Sequence, residues 1–227
     1  MKNIGILCAS DTELAPFLEH IQAPKITEKA MLKFHAGTVH HENVVAVYSG
    51  VCKVNAAIAA QLLIDIFHVD LIINAGTAGG MKESVQLFDT VISERVIYHD
   101  VAEDILTDFH PWLKSNYFSA DQRLCAIAKQ YAKTSKFPIL FGTMVTGEQF
   151  IEDEKRDEIN QKYDSLSVDM ETVSVAHVCH VNQIPFLAVR TITDTAAHQG
   201  IEQFEQNCET ASGISAEIVL DLLGRFE

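Results

Sequence analysis

Three carboxylates stand where apolar runs break off. Glu13 follows NIGILCASDT, Glu171 follows SVDM, and Asp194 ends PFLAVRTITD. A trio of acids suits cleavage of a glycosidic bond. One carboxylic acid protonates the leaving group and one carboxylate activates water, while nearby negative charge steadies an oxocarbenium-like transition state. A third carboxylate can accept hydrogen bonds from two sugar hydroxyls. Each correctly placed acid or base contributes about 10²–10⁴-fold in rate. Taken singly, none is diagnostic. Glu13 and Glu171 also suit the positive end of a helix dipole, and Asp194 also suits a turn or cap. Other runs end in polar or glycine-rich stretches too: SGVCKV at 49–54, AGTAGG at 75–80 with Thr77 between glycines, and TGEQFI at 146–151.

Such residues meet only if strands and helices bring the run ends to one edge. Apolar, β-rich segments predict strands at 3–10, 70–76, 89–100, 138–147, 165–170 and 185–194. Segments 31–39 and 43–50 read as a hairpin around His40–Glu42. Helices are expected at 12–21 (capped by Thr12 or Asp11), 53–68, 119–133 (capped by Ser119), 152–163, 171–182 and 202–226. Continuous apolar strands separated by helices imply a largely parallel sheet covered on both faces, and the hairpin makes it mixed. Ligands gather beyond the carboxyl ends of such strands. With no repeat or linker-like stretch, residues 1–227 are read as one domain.

The charge balance narrows the partners. A net charge of −14 argues against nucleic acid and against anionic membranes, both of which call for a basic face. The five cysteines form no CxxC pair, and their number is odd, so reduced, mostly buried thiols are expected. The N-terminal apolar run is too short for a signal peptide, and no apolar stretch is long enough for a membrane helix. The expected location is the cytoplasm.

The stretches NIGILCASDTEL, SGVCKVNAA, DLIINAGTAGGM, VISERVIYHD, TGEQFI, VDMETVSVAHVCHVNQIPF and AVRTITDTA resemble the 5′-methylthioadenosine/S-adenosylhomocysteine nucleosidases of the nucleoside phosphorylase superfamily. The resemblance runs nearly end to end. It implies a three-layer α/β/α sandwich around a mixed, mostly parallel sheet, a homodimer, no metal or cofactor, adenine thionucleoside substrates, and a place in methionine salvage. By matching position, Glu13 takes the general base for water and Asp194 the general acid towards N7 of the leaving adenine. Glu171 takes the grip on the ribose hydroxyls, with Met170 beside the sugar. Thr77 lies near the water and base, Phe150 stacks on adenine, and the Ile151 backbone pairs with the purine edge. Val51 and Phe204 line the 5′-alkylthio pocket. Arg190 matches an arginine near the acid loop that positions carboxylates, and Asp169 is structural. Adenine leaves poorly until protonated, so burial is expected to raise the pKa of Asp194, while Glu13 must be ionised.

Two positions depart from the family pattern. Ser10 stands where the family has a methionine against the 5′ substituent. After YHD the chain reads VAEDILTDFHPW, so the aromatic lent across the dimer corresponds by count to Leu106, or by residue type to Phe109. Rival readings are fewer than the motifs suggest. A phosphorylase needs cationic donors for phosphate, yet the first strand–helix loop holds Glu13, and Asn74 precedes the Gly-Thr motif. A nucleoside-binding module without turnover would not need all three carboxylates. His177 and His180 in HVCH read as packed histidines, EDEKRDE as a solvated helix face, and AGTAGG as close backbone approach to sugar or water rather than a dinucleotide loop. The stripe AAIAAQLLIDIF is core or dimer surface.

Overall fold

The computed structural model describes residues 2–109, 112–151, 153–195 and 201–226. Among these residues lie ten strands and seven helices: β1 (Asn3–Cys8), α1 (Asp11–Leu18), β2 (Gln22–Lys29), β3 (Leu32–Val39), β4 (Glu42–Tyr48), α2 (Lys53–Asp65), β5 (Leu71–Gly80), β6 (Thr90–Tyr98), α3 (Ile105–Phe109), β7 (Tyr117–Ser119), α4 (Gln122–Ala132), β8 (Ile139–Thr146), α5 (Asp153–Tyr163), β9 (Ser167–Asp169), α6 (Thr172–Asn182), β10 (Phe186–Asp194) and α7 (Ile201–Leu223). Residue 152, expected to open a helix, lies outside the described residues.

The strands form one mixed sheet in the order β10-β6-β8-β9-β5-β1-β4-β3-β2, with β7 beside β6 and a further β10–β5 pairing. Side chains alternate between faces, as the strand period requires. Ile4, Ile6 and Cys8 of β1 and Leu187 and Val189 of β10 face a core with α1, α4 and α7. Leu7, Ile72, Ala188 and Ile192 face the opposite core, which α2 and α6 close with Ala56, Ala60, Leu63, Val173 and Cys179. That is a helix–sheet–helix sandwich. A smaller cluster under α5 joins Ile159 and Tyr163 to Ile97 and Val168.

β5 is the strand that makes room for a site. Its first half runs beside β1 as far as the pair Leu7–Asn74, and β9 joins only at Gly79. Between those points one edge of β5 has no strand neighbour, while β10 pairs along the other. The strand therefore continues through AGTAGG to Gly80 instead of ending at residue 76. The Glu13 carboxylate reaches this stretch and accepts from Thr77 N at 2.7 Å, while the Ser215 hydroxyl of α7 accepts from Gly76 N at 3.1 Å and donates to Val189 O of β10 at 3.1 Å.

Several boundaries differ from expectation. Ser10, not Thr12 or Asp11, caps α1: its hydroxyl accepts from Glu13 N while the Glu13 side chain accepts from Ser10 N, a reciprocal capping box. Asp121 caps α4, and Ser119 lies in β7. β2, β7 and α3 were not expected. β2 (QAPKITEK) is an almost wholly exposed edge strand with little apolar pattern, held by its antiparallel register with β3. No described helix is long and apolar enough to cross a membrane.

Candidate active site

Glu13 sits in the first turn of α1 and is buried. Oε2 accepts from Ala9 N at 2.7 Å and Ser10 N at 3.3 Å. Oε1 accepts from Thr77 N at 2.7 Å and the Thr77 hydroxyl at 2.8 Å. The helix-capping reading and the chemical reading thus belong to one carboxylate, one oxygen each. Gly76 makes this contact possible. Its φ is +148°, and a Cβ there would collide with the Glu13 carboxylate. Close approach was expected in AGTAGG, but to sugar or water; here it is to Glu13, and at Gly79 to Asp194 Oδ2, which a Cβ would meet at 3.0 Å.

Beneath Glu13 lies Arg190 of β10, 0% exposed. Its guanidinium is 3.7 Å from Glu13 Oε1, 3.5 Å from Asp169 Oδ2 and 3.5 Å from Glu171 Oε2. It donates to Asn74 Oδ1 at 2.7 Å, the Thr172 hydroxyl at 3.1 Å and Thr77 O at 3.2 Å. A buried cation of this kind is tolerable only with such partners. Asp169 organises the turn before α6: Oδ1 accepts from the Thr146 hydroxyl at 2.6 Å, Glu171 N at 3.1 Å and Thr172 N at 3.0 Å. It does the capping that Glu171 would otherwise do. Glu171 is left to accept from Cys52 N at 2.8 Å and to face the cavity. Burial pushes the Glu171 carboxyl well above the usual carboxylate range, with Arg190 pulling against it.

Asp194 ends β10 and is buried. Burial raises its pKa; the Thr193 hydroxyl, donating to Oδ1 at 2.9 Å, and Arg156 both act the other way. Arg156 Nη2 is 3.6 Å from Asp194 Oδ2. Sequence reasoning missed Arg156, which it placed on a solvated face; the side chain is buried. The available signal was its spacing: residues 156, 159 and 163 fall on one helical face, and Ile159 and Tyr163 are the apolar members.

These groups open onto one cavity of about 200 Å³. Glu13, Thr77, Glu171 and Asp194 line its polar part. Ser10, Val51, Phe150, Ile151, Met170 and Phe204 complete the wall. Arg190 alone among the expected site residues does not line it; it lies underneath, holding carboxylates in place. Leu106 packs on the core shared by α2 and α6, whereas Phe109 is 82% exposed.

Residues 3–224 match the family described as the phosphorylase superfamily. A 5′-methylthioadenosine/S-adenosylhomocysteine nucleosidase of Oceanobacillus iheyensis is 33% identical over 98% of this chain and 99% of its own. The chain belongs to this nucleosidase family. Two solved structures have its fold: the nucleosidase of the same name from Colwellia psychrerythraea, in complex with adenine (TM-score 0.89, 32% identity, 99% and 95% of the two chains), and an S-adenosylhomocysteine nucleosidase from Streptococcus pyogenes, in complex with 5-methylthiotubericidin (TM-score 0.92, 27% identity, 100% and 98%).

Within this nucleosidase scaffold the remaining motifs have structural explanations. His177 stacks on Phe118 with ring centroids 4.6 Å apart, and His180 meets the same ring edge-on at 5.5 Å. Among the described residues, no group of three or more His, Cys, Asp or Glu is placed to hold a metal ion. All five cysteines are free thiols, four of them buried.

Proposed function

We propose that this protein hydrolyses the N-glycosidic bond of 5′-methylthioadenosine and S-adenosylhomocysteine, and of 5′-deoxyadenosine, releasing adenine. One observation carries the choice of water over phosphate. The cavity presents Glu13, Glu171 and Asp194, and none of its described lining residues is cationic. A phosphate dianion needs cationic donors and would be repelled by these carboxylates. Water needs only a base.

The steps follow from the positions. Glu13, surrounded by hydrogen-bond donors, is the base that takes the proton of the attacking water. Asp194, whose pKa burial raises, delivers its proton to N7 of adenine. The C–N bond breaks, its electron pair stays with the purine, and the water oxygen bonds to the anomeric carbon. Charge on Glu171 and Glu13 favours the oxocarbenium-like state between. Glu171 accepts from the ribose hydroxyls, with Met170 beside the ring. Phe150 stacks on the base and the Ile151 backbone meets its edge. Val51, Phe204 and Ser10 surround the 5′ substituent, and Thr77 steadies Glu13 and the water.

The chain acts as one domain without a cofactor, as a homodimer in the cytoplasm, in methionine salvage. Val54, Ile58 and Val181, exposed on α2 and α6, form the apolar surface for the second copy. Phe109, exposed at the end of α3, is the aromatic lent to the partner's site, in preference to Leu106. The test is incubation with methylthioadenosine in phosphate-free buffer, following adenine by chromatography, then the same with phosphate and with S-adenosylhomocysteine. Adenine is expected without phosphate. Release only with phosphate would make the protein a phosphorylase, and release in neither buffer would leave a binding module.

A further inference from the structure

We propose that Arg156 is a positioning residue for the proton-donating step: one buried guanidinium holds Asp194 Oδ2, the end of β5 and the base-binding loop in a fixed relation. The inference rests on the reading of Asp194 as the acid. Arg156 Nη1 donates to Gly80 O at 2.9 Å, and Nη2 donates to Ile151 O at 3.4 Å while lying 3.6 Å from Asp194 Oδ2. Gly80 immediately follows Gly79, against which Asp194 Oδ2 is packed. Ile151 belongs to the loop whose Phe150 lines the same cavity. A planar fork can hold acceptors in several directions at once; an ammonium cannot reproduce that geometry.

Stability does not explain this arginine. It is 2% exposed, and its Nε has no hydrogen-bond partner among the described residues. An incompletely satisfied buried cation is poor for folding. It is well placed for chemistry. As the proton passes from Asp194 to the purine, the bond to the sugar breaks with its electron pair on the purine, and Asp194 is left as an anion. The guanidinium stands beside that new charge. Among the described residues, Arg156 from α5 is the charged group that faces Asp194; β10 contributes the Thr193 hydroxyl, and β5 its backbone at Gly79.

The test compares wild type, R156Q and R156K for adenine release from methylthioadenosine across pH, with thermal unfolding to confirm the fold. R156Q is expected to lower kcat by roughly 10–100-fold, less than the loss of the acid itself, and by more than it raises KM. Without the cation the ionised form of Asp194 is less favoured, so the alkaline limb moves to higher pH. R156K is expected to recover part of kcat and to bring the limb back towards wild type. A purely structural role would leave the limb where it is. Superimposed profiles, or a fall in kcat without a shifted limb, would overturn the proposal. Should R156Q not fold, R156K decides alone, because wild-type kcat and limb there would show that the fork is not needed. Failure of the wild type to release adenine would instead strike the underlying reading.

Discussion

Arg190→Met removes the only cation within reach of Glu13, Asp169 and Glu171 among the described residues, while roughly keeping the side chain's length. Three carboxylate contacts at 3.5–3.7 Å are lost, and the partners stay buried. Breaking a buried ion pair from one side typically costs about 3–5 kcal/mol. For a chain of this size that corresponds to a fall in Tm of roughly 6–20 °C. The deficit should depend on pH, with a definite sign. Glu171 is already raised by burial, and Arg190 is the main influence holding it down, so the variant raises it further. A carboxyl with a raised folded-state pKa binds more protons folded than unfolded, so stability is lost as pH climbs from the ordinary value near 4.5 through the raised one. The deficit should therefore be smaller near about pH 5 than near about pH 8. Thermal unfolding of both proteins at the two pH values is the assay. A fall in Tm below about 2 °C, or an equal fall at both pH values, would refute the account of Arg190 as the charge that makes this cluster tolerable.

Glu13→Gln and Asp194→Asn should each lower kcat by about 10²–10⁴-fold while KM for methylthioadenosine stays within a few-fold; steady-state kinetics with unchanged kcat in either would remove that residue from the chemistry. Gly76→Ala should lower kcat by at least about 10-fold and destabilise the fold by about 1–3 kcal/mol, because the new Cβ meets the Glu13 carboxylate at φ +148°; wild-type kinetics and denaturant midpoint would show that β5 shifts freely. Glu171→Gln should raise KM, and its Tm relative to wild type should improve as pH rises above about 4.5, where the native carboxyl loses stability; a difference independent of pH would contradict the burial argument.

What the sequence made legible was the part set by period and by strand ends. Ile4, Ile6 and Cys8 against Leu7, or Ile73 against Ile72, carry the alternation that places two helical layers. Residues at the ends of β1, β5, β9 and β10 then had to share an edge, and the expected site residues line one cavity except Arg190 beneath it. Arg156 was hidden because DEKRDE is locally all charge, and only its register with Ile159 and Tyr163 marks the inward face. β2 was hidden because an edge strand owes its existence to its partner: QAPKITEK has almost nothing to bury. The caps were misplaced by one or two residues because Ser10, Asp11 and Thr12 are all competent acceptors, and only the reach of Glu13 back to Ser10 N decides among them.

The two buried arginines let four carboxyl groups sit close together out of water. Arg190 is shared among Glu13, Asp169 and Glu171, and each of these also accepts backbone N–H bonds: Glu13 from Ala9, Ser10 and Thr77, Asp169 from Glu171 and Thr172, Glu171 from Cys52. Backbone donors and a guanidinium are what a carboxylate requires when water is scarce. Among the described residues, Asp194 meets a neighbouring hydroxyl, and an arginine that also serves two carbonyls and stands 3.6 Å away. Burial raises the pKa of Asp194 against both, as it raises that of Glu171 against Arg190. With Asp194 as the acid, a cation moved closer than this would make it a better anion and a poorer store of its proton.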